Sequence, residues 1–367
     1  MKTKKIACFL PSLFGGGAEK AAIKLFKGML GKDLTLDLVL ADATGPYLNQ
    51  VPKEVRIVDL GAGRVLKAIL PLARYLKNNK PDALISHMEY ANVAATLAKE
   101  ISGTNTKLVL VEQNNLSASL KNSTLLLNSV FSLLVHTLYP RAGAIVGVSK
   151  GVAEDLETVL AFPKGKVHVI HNPIVDDDIL EKAQMPVEHP WFRQGEPPVF
   201  VAVGRLSEQK DFQNLIKAFG LLRKQRQAKL IILGEGDLRG ELEASVNALG
   251  LAEDVCLPGF VDNPYAYMYN AKAFVLSSRW EGLPTVIIEA MACGCPVVST
   301  NCPSGPNEIL DEGKYGILVP VGDEVALSHG MQNILNNPIS KEILLQRAKY
   351  FSVEHSVSKY LSLLFAA

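Results

Sequence analysis

Arg205 and Lys210 stand in the stretch Val203-Gly204-Arg205-Leu206-Ser207-Glu208-Gln209-Lys210-Asp211, between a β-branched run and the helical pattern Phe212–Leu222. An arginine fork and a lysine point charge placed where a strand gives way to a helix N-terminus make either a metal-free clamp for a diphosphate or simply a solvated basic loop. A pair of carboxylates, Glu281 and Glu289, lies in Glu281-Gly282-Leu283-Pro284-Thr285-Val286-Ile287-Ile288-Glu289-Ala290-Met291-Ala292-Cys293-Gly294. Pro284 suits a helix's first turn and Gly294 its C-terminal cap, so the spacing predicts a helix near Thr285–Cys293. Glu281 then falls just outside the helix and Glu289 more than a turn inside, which lets the two address different hydroxyls. The amides around Gly282, Leu283, Pro284 and Thr285 face whatever anion occupies the helix start. A carboxylate beside a phosphate site is electrostatically awkward unless it accepts hydrogen bonds from sugar hydroxyls. The third constellation is Gly15-Gly16-Gly17, ahead of Ala18-Glu19-Lys20 and an amphipathic pattern. Glycines there let backbone approach a phosphate or a sugar oxyanion closely, and the pattern is neither a Walker loop nor G-x-G-x-x-G.

These residues need elements to hold them. Short Val-, Ile- and Leu-rich runs alternate with helical stretches: Ile6–Leu10, Leu34–Ala41, Val55–Leu60, Ala83–Met88, Lys107–Glu112, Ala144–Ser149 and Val167–Asn172, then Val199–Gly204, Lys229–Gly234, Val255–Phe260, Ala273–Ser278, Pro296–Thr300 and Gly316–Pro320. Such alternation predicts α/β architecture with parallel sheets covered by helices on both faces. The breaker-rich segment from Asn172-Pro173 to Pro197-Pro198 reads as a linker, dividing residues 1–172 from residues 173–350. Two Rossmann-like domains, their parallel sheets facing across a cleft, would bind ligands at the carboxyl ends of their strands.

Composition narrows the class. With 367 residues, 48% hydrophobic and 20% charged, the chain is an ordinary folded one of two domains. No apolar run reaches the length of a membrane span, and Pro11 with the glycines interrupts any signal-like start. Five cysteines without C-x-x-C or Cys/His ligand spacing point to a reduced, cytoplasmic protein with no zinc site. The net charge of +1 hides an asymmetry: residues 1–172 carry 21 Lys and Arg against 13 Asp and Glu, and the remainder 17 against 24. A basic first half favours an anionic partner such as a phosphate-bearing lipid or membrane, although uneven charge without that role is also common. No nucleic-acid partner is expected.

Taken together the motifs resemble the glycosyltransferases of family 4, retaining nucleotide-sugar enzymes with the two-domain GT-B fold. The resemblance covers essentially the whole chain: the glycine loop, Val148-Ser149, His171-Asn172-Pro173, Gly204-Arg205 with Lys210-Asp211, Gly234-Glu235-Gly236 and, most specifically, Glu281 with Glu289. It implies that Arg205 and Lys210 bind the donor diphosphate, Glu281 contacts the transferred sugar and Glu289 holds the ribose hydroxyls. It also implies that the C-terminal helix, Phe351–Leu364 within residues 351–367, packs back on the first domain. Ser299–Leu310 resembles a subgroup that adds hexoses or N-acetylhexosamines to lipid-linked or surface glycans. Many relatives read Glu-His-Asn after the fifth strand, where this chain has Glu112-Gln113-Asn114-Asn115. Gln113 is no proton carrier. His87, at the end of the fourth strand, either takes over part of that role or only satisfies local hydrogen bonds.

The expected activity is retaining transfer from a nucleotide sugar, a UDP-sugar first of all, to a glycan or lipid-diphosphate acceptor. Arg205, Lys210, Glu281 and His87 form the catalytic set, and the glycine loop, Gln113, Asn172, Gly204, Gly234, Gly236, the Gly282–Thr285 turn and Glu289 contact substrates. No cofactor or metal is expected, because cations and helix ends neutralise the phosphates. Two apolar stretches of the first half, Val65–Leu76 with Arg64, Lys67, Arg74 and Lys77, and Leu125–Tyr139 with Lys121 and Arg141, either rest on an anionic membrane or simply cover the sheet. Other readings stay open: a dehydrogenase using Gly234-Glu235-Gly236, weakened by Arg239 in the third glycine's place; a GT-B epimerase of nucleotide sugars; and a noncatalytic subunit of a glycan assembly.

Overall fold

Runs of Val, Ile and Leu short enough for strands, each closed by a polar or glycine-bearing turn, build two parallel sheets in the computed structural model, which describes residues 3–14, 16–117 and 125–365. The chain divides into two compact units, Met1–Pro173 with Val353–Ala367, and Ile174–Ser352.

In the first unit β1 (Lys4–Leu10), β2 (Leu34–Leu40), β3 (Arg56–Asp59), β4 (Ala83–His87), β5 (Lys107–Glu112), β6 (Ala144–Gly147) and β7 (His168–Val169) lie in the order β3-β2-β1-β4-β5-β6-β7. In the second, β8 (Val199–Val203), β9 (Lys229–Leu233), β10 (Val255–Gly259), β11 (Ala273–Leu276), β12 (Val297–Thr300) and β13 (Ile317–Val319) lie in the order β10-β9-β8-β11-β12-β13. The order reverses beside β1 and beside β8, so the loops leaving β1 and β4, and those leaving β8 and β11, open a crevice at the carboxyl end of each sheet. The run Val167–Asn172 forms strand only at His168–Val169. It sits on the sheet edge beside the short β6, and beyond Ile170 the chain departs toward Pro173, which has no N–H to donate.

Both faces of the second sheet are buried, as parallel strands require: Phe200, Ala202, Leu230 and Ile232 pack with Leu215, Ile216 and Phe219, while Val199, Val201, Ile231 and Leu233 form the opposite cluster. In the first unit the helix Val353–Phe365 lies against Gly28 of the helix Gly17–Met29, where a Cβ would meet the side chains of Val353 and Val357. Lys107 Nζ donates to Leu363 O at 2.8 Å and ties that helix to β5. A buried ion cluster pins β2 to β3 and the helix Ile69–Asn79: Asp37, fully enclosed, pairs with Arg56 at 2.5 Å and Lys5 at 3.7 Å and accepts the Tyr75 hydroxyl at 2.5 Å. The five cysteines are free thiols, and among the described residues no helix is long and apolar enough to cross a membrane.

Candidate functional site

The loop after β8 and the loop after β11 meet in the second unit because β8 and β11 are sheet neighbours. Lys210, on the short turn Glu208–Lys210, donates from Nζ to Glu281 Oε1 at 2.6 Å, and Ser278 Oγ donates to the same oxygen at 2.7 Å. Both charged side chains are largely enclosed, at 16% and 7% exposure, so their attraction is little screened by water. Gly204 makes room for Lys210: a Cβ there would sit 3.1 Å from Lys210 Cε. Arg205 is exposed, and among the described residues its guanidinium carries no ion pair. Cys302 lies beside this pair; burial first, then the Glu281 charge, pushes its thiol up to about 12, so it stays protonated and unreactive.

The helix Thr285–Ala292 begins at the Pro284 cap, and its first N–H groups have no partner within the helix. A Cβ on Gly305, whose φ is +94°, would strike the Pro284 ring and crowd Gly282 O, and Glu281 N donates to Pro303 O at 3.2 Å. The loop Pro303–Gly305 therefore braces the Gly282–Pro284 turn from behind. Deeper in, Glu289 accepts the Tyr265 hydroxyl at 3.3 Å. Gly234 and Gly236 also have a reason to be glycine: a Cβ on Gly234 would strike Gly204 O, and one on Gly236 would strike the Leu206 backbone.

In the first unit Gly16 and Gly17 open the helix Gly17–Met29 with ordinary, negative-φ backbone, and the Glu19 carboxylate folds back over Gly16. A Cβ on Gly17 would meet nothing within 4 Å, so neither conformation nor packing demands glycine there. Gly15 lies outside the described residues, as do Lys121 and the far end of the loop Gln113–Leu120. At the ends of β4 and β5, Asn172 Nδ2 donates to Gln113 Oε1 at 2.8 Å, and Gln113 Nε2 lies 3.1 Å from His87 Nδ1. Since the amide oxygen already faces Asn172, its NH₂ donates to Nδ1 and the ring proton sits on Nε2, which has no partner among the described residues. Burial pushes His87 down to about 4, so the ring is a neutral hydrogen-bond donor at pH 7. Glu112 beside it is pushed up to about 8 by burial, against the opposing hydrogen bonds from Tyr139 and Asn92, and is mostly protonated at neutral pH.

Residues 188–351 match the family described as Glycosyl transferases group 1, and residues 15–178 match Glycosyltransferase Family 4. Over 359 residues the chain is 31% identical to the N-acetylgalactosamine-N,N'-diacetylbacillosaminyl-diphospho-undecaprenol 4-alpha-N-acetylgalactosaminyltransferase of Campylobacter jejuni, covering 94% of each chain. The chain is a family 4 glycosyltransferase. The family is a retaining one, and its GT-B fold is matched by solved structures. The Anabaena protein HepE in complex with UDP-glucose superposes with a TM-score of 0.79 at 20% identity, over 98% of this chain and 99% of that one. The lipopolysaccharide outer core galactosyltransferase WaaB does so at 0.74 and 20%, over 99% of both.

Membership in this family sets the dehydrogenase and epimerase readings aside. Gly234-Glu235-Gly236 follows β9 rather than the first strand of its sheet, and Arg239, where a dinucleotide fingerprint has its third glycine, pairs with Glu235 at 2.7 Å. The glycosyltransferase brings Gly204, Lys210, Glu281 and Gly282–Thr285 into one crevice of the second unit, and Gln113, Asn172 and His87 into one hydrogen-bonded row of the first. Ser278, Tyr265 and the Arg279–Asp211 pair were not legible from motif spacing. Ser278 carried a faint signal, a serine three residues ahead of the first glutamate; Tyr265 carried none.

The ionisation of His87 makes a stability prediction. Between pH 6.5, the ordinary value, and about 4, the unfolded chain binds a proton that the folded one refuses, so stability falls as pH drops through that window and is unaffected above it. The span corresponds to about 3 kcal/mol. Thermal unfolding of wild type and His87→Gln from pH 8 to 4 should diverge only below pH 6.5, with the variant less acid-sensitive; parallel curves would contradict a neutral buried ring.

Proposed function

We propose that this glycosyltransferase moves a hexose or N-acetylhexosamine from a UDP-sugar to a glycan or lipid-diphosphate acceptor, with retention of configuration. The observation that carries the reading is the enclosed Lys210–Glu281 pair beside the amides that open the helix Thr285–Ala292. Lys210 has three donor hydrogens, so it can hold a diphosphate oxygen while keeping Glu281 aimed at the sugar. Arg205 supplies the second cation to the diphosphate, and Glu289 accepts the ribose hydroxyls. On departure the C1–O bond to the diphosphate breaks, the acceptor oxygen bonds C1 from the same face, and the acceptor's proton passes to the leaving phosphate oxygen. In the first unit His87 offers its Nε2 hydrogen to a substrate hydroxyl, and Gln113 and Asn172 hold its tautomer. A C. jejuni relative named for transfer to a diphospho-undecaprenol acceptor, and the fold neighbour bound to UDP-glucose, support the choice of acceptor and donor. A thermal-shift panel of UDP-, GDP- and ADP-sugars tests it. A donor at 100 times its dissociation constant should stabilise by about 2.7 kcal/mol, and no response to any UDP-sugar would refute the donor assignment.

The same reading includes peripheral contact with an anionic membrane, where a lipid-diphosphate acceptor resides. In the first unit Leu66 and Leu70 are 58% exposed beside the exposed Arg64, Lys67, Arg74 and Lys77, and Val130 and Leu133 of the helix Leu125–Leu138 are exposed too. Apolar side chains among lysines and arginines suit an interface carrying anionic headgroups. Cosedimentation with anionic but not neutral vesicles is expected, lost at high salt; equal recovery in the supernatant with both would remove this part.

A further inference from the structure

We infer that Arg279 is a positioning residue for Lys210, setting the geometry of the donor-diphosphate site from outside it. The inference rests on the reading of Lys210 as a diphosphate ligand. Lys210 is followed by Asp211, a non-glycine residue in left-handed backbone, at φ 47° and ψ 46°. Left-handed backbone is uncommon outside glycine, and aspartate holds it where its side chain is anchored by hydrogen bonds. Here the anchors come from the loop after β11. Arg279 Nε donates to Asp211 Oδ2 at 3.0 Å, Nη2 reaches Asp211 Oδ1 at 3.5 Å, and Nη1 donates to Glu208 Oε1 at 2.9 Å.

The main chain of the same arginine takes part. Arg279 N donates to Gln209 O at 2.8 Å, Gln209 Nε2 returns to Trp280 O at 3.0 Å, and Ser277 Oγ donates to Lys210 O at 2.7 Å. The Lys210 carbonyl and the residues on either side of Lys210 are thus tied to the segment that carries Glu281. Asp211 is only 7% exposed, so without the guanidinium its carboxylate would be left enclosed and short of a cation. The turn would relax, and the Lys210 ammonium would leave the position its Glu281 contact defines. A fork matters more than a charge, because only arginine bridges Asp211 and Glu208 at once.

Isothermal titration with UDP, together with donor KM and kcat, compares wild type, Arg279→Ala, Arg279→Lys, Asp211→Asn and the Arg279→Ala/Asp211→Asn double variant. Arg279→Ala should bind UDP at least tenfold more weakly and raise the donor KM, while the acceptor KM stays within twofold. Arg279→Lys should recover part of the loss, and the double variant should be no worse than the poorer single one. If Arg279→Ala does not fold, Arg279→Lys carries the comparison. Unchanged UDP affinity in a folded Arg279 variant overturns the inference alone, as does equal loss of donor and acceptor affinity. Wild type that fails to bind UDP overturns the donor-site reading beneath it.

Discussion

Lys210→Ala is expected to lower kcat by roughly 10²–10³, with donor KM rising less than kcat falls, in a protein that still unfolds cooperatively. The ammonium's stem packs against Gly204, and Nζ meets Glu281 at 2.6 Å. Charge grows on the diphosphate as its bond to the sugar breaks, so a cation in an enclosed site contributes more to the transition state than to ground-state binding. Loss of one such contact is worth about 3–4 kcal/mol, which is the stated factor. Glu281 keeps the Ser278 hydroxyl at 2.7 Å after the substitution, which limits the damage to folding. Addition of Glu281→Gln should restore melting temperature in the Lys210→Ala background but not turnover. Near-wild-type turnover of a folded Lys210→Ala protein would reject the assignment of Lys210 to the leaving group.

The second large effect lies away from the chemistry. Arg56→Met should destabilise the first unit by about 2–3 kcal/mol, less than the roughly 3–5 kcal/mol of a fully buried pair because Arg56 itself is half exposed. Its melting should fall by about 5–10 °C. Burial alone would raise the Asp37 carboxyl, but hydrogen bonds from Arg56 and Tyr75 and the charge of Lys5 outweigh it and hold the group below its usual 3.8. A folded value below the unfolded one stabilises at pH values above 3.8 and is lost as pH falls through the folded value. The variant lacks most of that contribution, so the gap between the two proteins should hold at pH values above 3.8 and narrow only as pH falls below it. A melting temperature within 2 °C of wild type at pH 7, or a gap that widens in acid, would show that the cluster does not hold β2 to β3.

Much of the strand pattern was legible because parallel strands buried on both faces must be short apolar runs, and Ile6–Leu10, Lys107–Glu112 and Lys229–Gly234 stand out between amphipathic stretches. The run Val167–Asn172 is strand over only two residues; apolar content does not reveal that a run lies on a sheet edge and soon leaves it. Of the site, glycine, proline and charge carried the signal. Arg205, Lys210 and Glu281 stand in turns whose glycine and proline neighbours mark them, and Glu289 follows more than a turn into the helix that Pro284 opens. Tyr265 and Ser278 gave no comparable sign, and the Lys210-Asp211 motif did not disclose its Arg279 partner, because a hydroxyl or carboxylate finds its role only by what the fold sets beside it.

By itself the sequence determined the alternation of strands and helices and which loops hold the charged and glycine-rich turns, both of which follow from local backbone preference and the period of apolar residues. The tertiary structure decided the strand order, which makes β8 a neighbour of β11 and so brings Lys210 to Glu281 across 71 positions of chain. It also decided that Gln113, Asn172 and His87 form one row, and that Gly234 and Gly236 are glycine to admit the backbone of Gly204 and Leu206. Spacing along a chain constrains what is near in sequence; hydrogen bonds, ion pairs and steric exclusion act on what is near in space.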